Sequence, residues 1–176
     1  MSAETQQFIA SSVADGIGTI TLTSAARRNA LSHGMMDAIS TALLDFQKQG
    51  VRVAIIQAEQ GAKVWSSGHD IGELPVGGLD PLRYADPLEH TLRAIRRFPG
   101  PVIAKVSGSV WGGAFDLVLS CDLVVADHSA SFAITPEMGS IRGNNLFHSF
   151  TQFDLQAGDV AAFSGPANIQ NILTRV

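Results

Sequence analysis

Ser66-Ser67-Gly68-His69-Asp70 and Ser109-Val110-Trp111-Gly112-Gly113-Ala114-Phe115-Asp116 are two short turns of the same kind. Each follows an apolar, strand-like run and leads into a segment that reads as helix. Glycines at such junctions let a ligand approach the main chain, because no side chain stands in the way. Gly113 falls at a helix start, where N–H groups lack partners within the helix and the dipole favours negative charge. Together the turns supply two backbone N–H donors for one point, which is the requirement for holding charge on a carbonyl oxygen. A tight strand-to-helix turn with no ligand uses the same glycines, so the rest of the chain has to discriminate.

Outward from the turns, residues 51–56 and 102–106 read as buried strands and 122–127 as another strand. Residues 87–98 form an amphipathic helix halted by Pro99-Gly100-Pro101, and 111–120 a second helix. Upstream, 8–13 and 17–22 flank Ala14-Asp15-Gly16, a hairpin signature. Ser32 caps a helix whose Met35, Met36, Ile39, Ala42, Leu43 and Phe46 recur at helical spacing until Gly50. Residues 75–81 are loop, and 130–134 make a short strand before Thr135-Pro136-Glu137. This alternation predicts an α/β fold with at least part of a parallel sheet. From residue 142 onward, Gly143-Asn144-Asn145, Gln152-Phe153-Asp154 and Ser164-Gly165-Pro166-Ala167 interrupt every run. The expected organisation is a core over 1–141 and an irregular tail over 142–176, poorly packed by itself.

With 176 residues, 45% apolar and 16% charged, the chain has the make-up of one globular domain. A net charge of −4 leaves no basic stripe, so nucleic acid is not an expected partner. No run reaches the roughly 18–20 apolar residues of a membrane span, and the N-terminus lacks the pattern of a signal peptide. A cytoplasmic location without membrane contact is expected. The single cysteine, Cys121, reads as a structural thiol, and the five histidines show no metal-ligand spacing; no metal is expected.

Two carboxylates stand out. Asp116 lies one turn into the second helix and Glu137 follows Pro136 at a strand end, a usual address for functional groups in open α/β sheets. They make a candidate acid–base pair, provided burial raises at least one pKa. His69 is expected to act through its backbone N–H, Asp70 to hydrogen-bond within its own turn, and Tyr84 to pack locally.

Arg28-Asn29-Ala30-Leu31, Ser66-Ser67-Gly68-His69-Asp70-Ile71, Trp111-Gly112-Gly113-Ala114-Phe115-Asp116, Ser120-Cys121-Asp122-Leu123-Val124-Val125-Ala126 and Phe132-Ala133-Ile134-Thr135-Pro136-Glu137 occur in that order. The ordered set resembles the crotonase (enoyl-CoA hydratase/isomerase) superfamily over about residues 17–141. Within it, 68–75, 80–88 and 108–115 look most like the methylmalonyl-CoA decarboxylase branch. The resemblance implies a crotonase-like ββα spiral, incomplete at the C-terminus, and an acyl-CoA thioester as substrate. It implies an oxyanion hole from the N–H groups of His69 and Gly113. Ser66, Gly68, Asp70 and Ile71 would lie against the CoA moiety, with Arg27 near its nucleotide end. Family members work without metal or prosthetic group, usually as homo-trimers or hexamers.

The activity this implies is decarboxylation of a methylmalonyl-type thioester. Hydration or double-bond isomerisation through Asp116 and Glu137 is the alternative, and a non-catalytic CoA-binding remnant the third reading. Three departures from the family pattern bear on the choice. Where decarboxylases of this branch carry a tyrosine, the chain reads Ile141-Arg142-Gly143-Asn144. Asp116 is one methylene shorter than the glutamate of hydratases. Residues 142–176 echo the family only in Phe163-Ser164-Gly165-Pro166 and Ile172-Leu173-Thr174-Arg175-Val176, and read as an abbreviated form of its further helices.

Overall fold

Asp15 and Gly16 both take positive φ, 53° and 79°, which is the two-residue turn a twisted hairpin requires. They join β1 (Ile9–Ala14) to β2 (Ile17–Leu22) in antiparallel register from Ala14↔Ile17 to Ile9↔Leu22. The computed structural model that shows this describes residues 8–74, 84–134, 140–142, 144–149, 161–163 and 165–175. Next comes α1 (His33–Lys48), where the Ser32 hydroxyl accepts the Met35 N–H at 3.3 Å, as the sequence predicts. Its buried stripe of Met35, Met36, Ile39, Leu43 and Phe46 belongs to the hydrophobic core.

From here the chain repeats one unit. β3 (Val53–Ala58) and β4 (Val64–Ser66) precede α2 (Pro87–Arg96). β5 (Val102–Val106) and β6 (Ser109–Trp111) precede α3 (Gly113–Leu119). β7 (Leu123–Ala126) and β8 (Ser131–Ile134) follow. The first strand of each pair joins a five-stranded sheet, β1-β2-β3-β5-β7, parallel from β2 onward. The second joins a four-stranded sheet, β4-β6-β8 followed by a further strand, β11 (Ala161–Phe163), parallel throughout. This is the expected ββα spiral. Trp65, fully buried, ties the layers by donating Nε1–H to the Lys105 carbonyl at 2.9 Å.

The remaining strands are β9 (Ser140–Arg142), β10 (Asn145–Ser149), β11 (Ala161–Phe163) and β12 (Asn171–Arg175). β10 pairs antiparallel with β9 and parallel with β12, while β11 runs parallel to β8. The broken pattern of 142–176 predicts no long helix; its described residues form these strands and the turns between them, and Leu146 is fully buried.

Two details differ from the sequence reading. Trp111, read as helical, closes β6, because Gly112 (φ 51°, ψ −132°) breaks the chain before α3. The first glycine turn continues as a turn over 71–74, and the next described helix begins only at Pro87. Both β4 and β6 are three residues long, too short to show a period of two. β7, the sheet edge, is exposed along its whole length.

Candidate active site

β4 and β6 are adjacent and parallel, with Val64 beside Ser109 and Ser66 beside Val110. The chain therefore leaves both strands at the same sheet edge, and both glycine turns emerge side by side. Carboxyl ends of parallel strands are where open α/β sheets place ligands.

The contact between the turns is backbone on backbone. A Cβ on Gly68 would lie 2.5 Å from the Trp111 carbonyl oxygen and 3.0 Å from the Gly113 nitrogen, and Gly68 has φ +81°. Only glycine fits there. The first turn is braced from the other side by residues 28–31. Leu31 N–H donates to the Gly68 carbonyl at 2.8 Å, and Asp70 N–H to the Leu31 carbonyl at 3.2 Å. Ser67 N–H donates to the Arg28 carbonyl at 2.9 Å, and the Ser66 hydroxyl to the Asn29 carbonyl at 2.7 Å. These bonds engage the residues on either side of His69 and leave its own N–H out. Among the described residues, neither the His69 N–H nor the Gly113 N–H donates to an acceptor of the protein. At the start of α3 the first bond is Phe115 N–H to the Gly112 carbonyl, 2.9 Å.

The His69 ring occupies the space that Gly113 leaves free: a Cβ on Gly113 would lie 2.9 Å from His69 Nδ1 and 3.1 Å from Leu88 Cδ2. On its other side, His69 Nε2 stands 3.6 Å from Asp86 Oδ1, both side chains less than a fifth exposed. Asp86 caps α2, accepting the Leu88 N–H at 2.8 Å, with Pro87 in the first helical position. Asp116 lies in the first turn of α3. The residue keeps an exposed side, yet the atoms packed round its carboxyl desolvate it and raise its pKa from 3.8; Glu89 adds to the rise and His69 opposes it. Glu89 in turn pairs with Arg93 at 3.7 Å, and the Arg93 guanidinium lies 3.9 Å from the centre of the Tyr84 ring. Sequence reasoning named Asp116 and Tyr84 but missed Asp86 and Glu89. The signal was present in Asp86-Pro87, an acidic cap followed by proline.

Of the residues assigned to the CoA side, Ser66, Gly68, Asp70 and Ile71 lie along the first turn, and Arg27 reaches it from the segment before Arg28. Arg27, half exposed, pairs with the buried Asp70 carboxylate, which also accepts the Gly72 N–H at 3.1 Å, the turn bond expected of it. Ser66 is fully buried, its hydroxyl engaged with Asn29 and with the Gly68 N–H at 3.2 Å. Ile71 is 86% exposed. Glu137 lies outside the described residues, and with it the second half of the expected carboxylate pair. Cys121 is a half-buried thiol: its S–H donates to the Leu117 carbonyl at 3.4 Å, and burial, then Asp122, push its pKa up to about 12. Among the described residues, no group of three or more His, Cys, Asp or Glu is arranged to hold a metal ion. No helix among them is long and apolar enough to cross a membrane.

Two sheets wound by ββα repeats, with paired glycine turns at one carboxyl edge, define a crotonase-type fold. The family model described as enoyl-CoA hydratase/isomerase matches residues 12–149. The chain belongs to that family. It is 49% identical over 108 residues to the methylmalonyl-CoA decarboxylase of Escherichia coli (strain K12), covering 61% of this chain and 41% of that one. It is 37% identical over 124 residues to the mitochondrial enoyl-CoA hydratase domain-containing protein 3 of Rattus norvegicus, covering 68% and 40%. A crystal structure of methylmalonyl-CoA decarboxylase complexed with 2S-carboxypropyl CoA superposes with a TM-score of 0.71 at 41% identity, over 77% of this chain and 52% of that one. The chain thus spans about half or less of the length of these relatives.

Proposed function

We propose that the chain carries the thioester site of an acyl-CoA decarboxylase of the methylmalonyl type, with the N–H groups of His69 and Gly113 as its oxyanion hole. The observation that supports this most is their placement: two N–H groups without protein acceptors among the described residues, on turns in backbone contact at one sheet edge. The identity to a methylmalonyl-CoA decarboxylase adds the substrate class.

The chemistry asks for little else. The bond from the α-carbon to the carboxylate breaks, CO₂ leaves, and the electron pair forms an enolate whose charge lies on the thioester oxygen. Donors held on that oxygen stabilise this state more than the ground state, each by roughly 3–4 kcal/mol in comparable sites. A proton then returns to the α-carbon. Asp116, whose environment favours the protonated carboxyl, is suited to return it. CoA enters as part of the substrate, and no prosthetic group is needed. Arg27, Ser66, Gly68, Asp70 and Ile71 line the turn along which the CoA moiety would run.

Incubation with methylmalonyl-CoA is expected to give propionyl-CoA and CO₂, with loss of activity in Gly113→Ala. Absence of product above background refutes the reading. A second reading, hydration or isomerisation of an enoyl thioester, draws support from the raised pKa of Asp116. It predicts loss of the conjugated absorbance of crotonyl-CoA, abolished by Asp116→Asn.

A further inference from the structure

One oxygen of Asp86 has two neighbours. Oδ1 accepts the Leu88 N–H at 2.8 Å and stands 3.6 Å from His69 Nε2. The opposite edge of the same ring meets Gly113, where a built Cβ would come within 2.9 Å of Nδ1. The imidazole therefore bridges the N-terminus of α2 and the N-terminus of α3. Its own residue carries one of the two N–H groups assigned to the thioester oxygen. On the main chain, Leu31 holds the peptides before and after it. The ring is seated between Asp86 and Gly113, and the main-chain bonds to Leu31 hold the peptides on either side, which leaves the His69 peptide little freedom to rotate.

The other charged groups near the ring come from the elements packed against it. Glu89 and Arg93 project from α2, and Asp116 from α3. Asp70, in the same turn, is turned to Arg27. Beside these, the Asp86 carboxylate stands 3.6 Å from a ring nitrogen.

We propose that Asp86 is a positioning residue for the thioester site: through the His69 ring it fixes the direction of the His69 N–H relative to that of Gly113. This rests on the reading that those two N–H groups receive the substrate oxygen. Direction matters because a hydrogen bond weakens steeply as it bends, and a misplacement of about 1 Å can cost about 100-fold in rate.

Asp86→Asn separates this role from helix capping. Asparagine caps as well as aspartate and can accept the Leu88 N–H through the same oxygen, but it presents no charge to His69. The expected result is a kcat for methylmalonyl-CoA lowered about 10-fold, with KM within about twofold, since only transition-state binding is lost. The melting temperature should stay within about 2 °C. In ¹H–¹⁵N spectra of the ligand-free protein, the His69 and Gly113 amide peaks should move while those of α1 stay. An unchanged kcat, unmoved His69 and Gly113 peaks, or a kcat loss matched by a fall in melting temperature each overturn the proposal. Wild-type protein that turns over no methylmalonyl-CoA, with the amide peaks displaced as described, refutes the assigned reaction and leaves the positioning role supported.

Discussion

Gly68 rests against the Trp111 carbonyl so closely that a Cβ at 68 would stand 2.5 Å from that oxygen. The two turns are therefore one structural unit, and their spacing is set by a missing side chain. Gly68→Ala should force them apart while also placing a non-glycine residue at φ +81°. The left-handed conformation costs about 1–2 kcal/mol and the overpacking about 1–3 kcal/mol, so urea unfolding should show a loss of about 2–5 kcal/mol. Wild-type stability in this variant would mean that the turns are not in contact.

Gly113→Ala tests the same unit without the backbone penalty, because Gly113 has no positive φ. The added methyl meets the His69 ring and a Leu88 methyl, both side chains. Alanine is the better helix former by about 0.5–1 kcal/mol, which offsets part of the crowding. Thermal melting should change little, while turnover of methylmalonyl-CoA should fall at least about 10-fold as the His69 ring is displaced. Equal losses in stability and turnover would place Gly113 in the packing alone.

How far the sequence reached is clearest in these residues. The turns were legible because glycine after an apolar run has few uses, and the α/β alternation because β3 and β5 are apolar runs of strand length and α2 carries a helical period. β4 and β6 were not, since three residues cannot show a period. The juxtaposition of Gly68 with Trp111 depends on sheet order, which no local pattern encodes. At His69 the sequence identifies no partner for the ring as an acid or base, and so favours the backbone N–H. Its ring contacts need Asp86 and Gly113 to be brought together from α2 and α3, and only the packed structure does that.

Asp116 has a pKa above its ordinary value of 3.8, chiefly through desolvation, so the native state binds its proton more tightly than the unfolded chain does. Stability then falls as pH rises from about 3.8 through the raised native value, and the penalty is complete above it. Asp116→Asn removes an ionisable group that the fold disfavours. Its melting temperature should equal or exceed that of the wild type at pH 7, and the difference should shrink toward pH 4. A wild-type advantage that grows with pH would contradict the desolvated environment.

Cys121 provides a probe of the native core. With its pKa pushed to about 12 by burial and Asp122, its thiolate fraction at pH 8 is about 1000-fold below that of a thiol at the ordinary value of 9.0. Iodoacetamide at pH 8 should leave the folded protein unlabelled by mass spectrometry and label it fully in urea. Rapid labelling of the folded protein would show that α3 does not hold the thiol against the Leu117 carbonyl.

Arg27 separates ion pairing from ligand binding. Its side chain is 48% exposed and its guanidinium pairs with Asp70, a carboxylate that also holds the Gly72 N–H. A half-exposed pair of this kind contributes about 0–1 kcal/mol, so Arg27→Ala should barely alter unfolding in urea. If the guanidinium meets the phosphates at the nucleotide end of CoA, the same change removes a charge contact that salt screens. Calorimetric titration with CoA should then show weaker binding in the variant, and a smaller dependence of affinity on ionic strength than in the wild type. Identical affinities at low and high salt in both proteins would confine Arg27 to its pairing with Asp70 and move the nucleotide end of the ligand elsewhere on the turn.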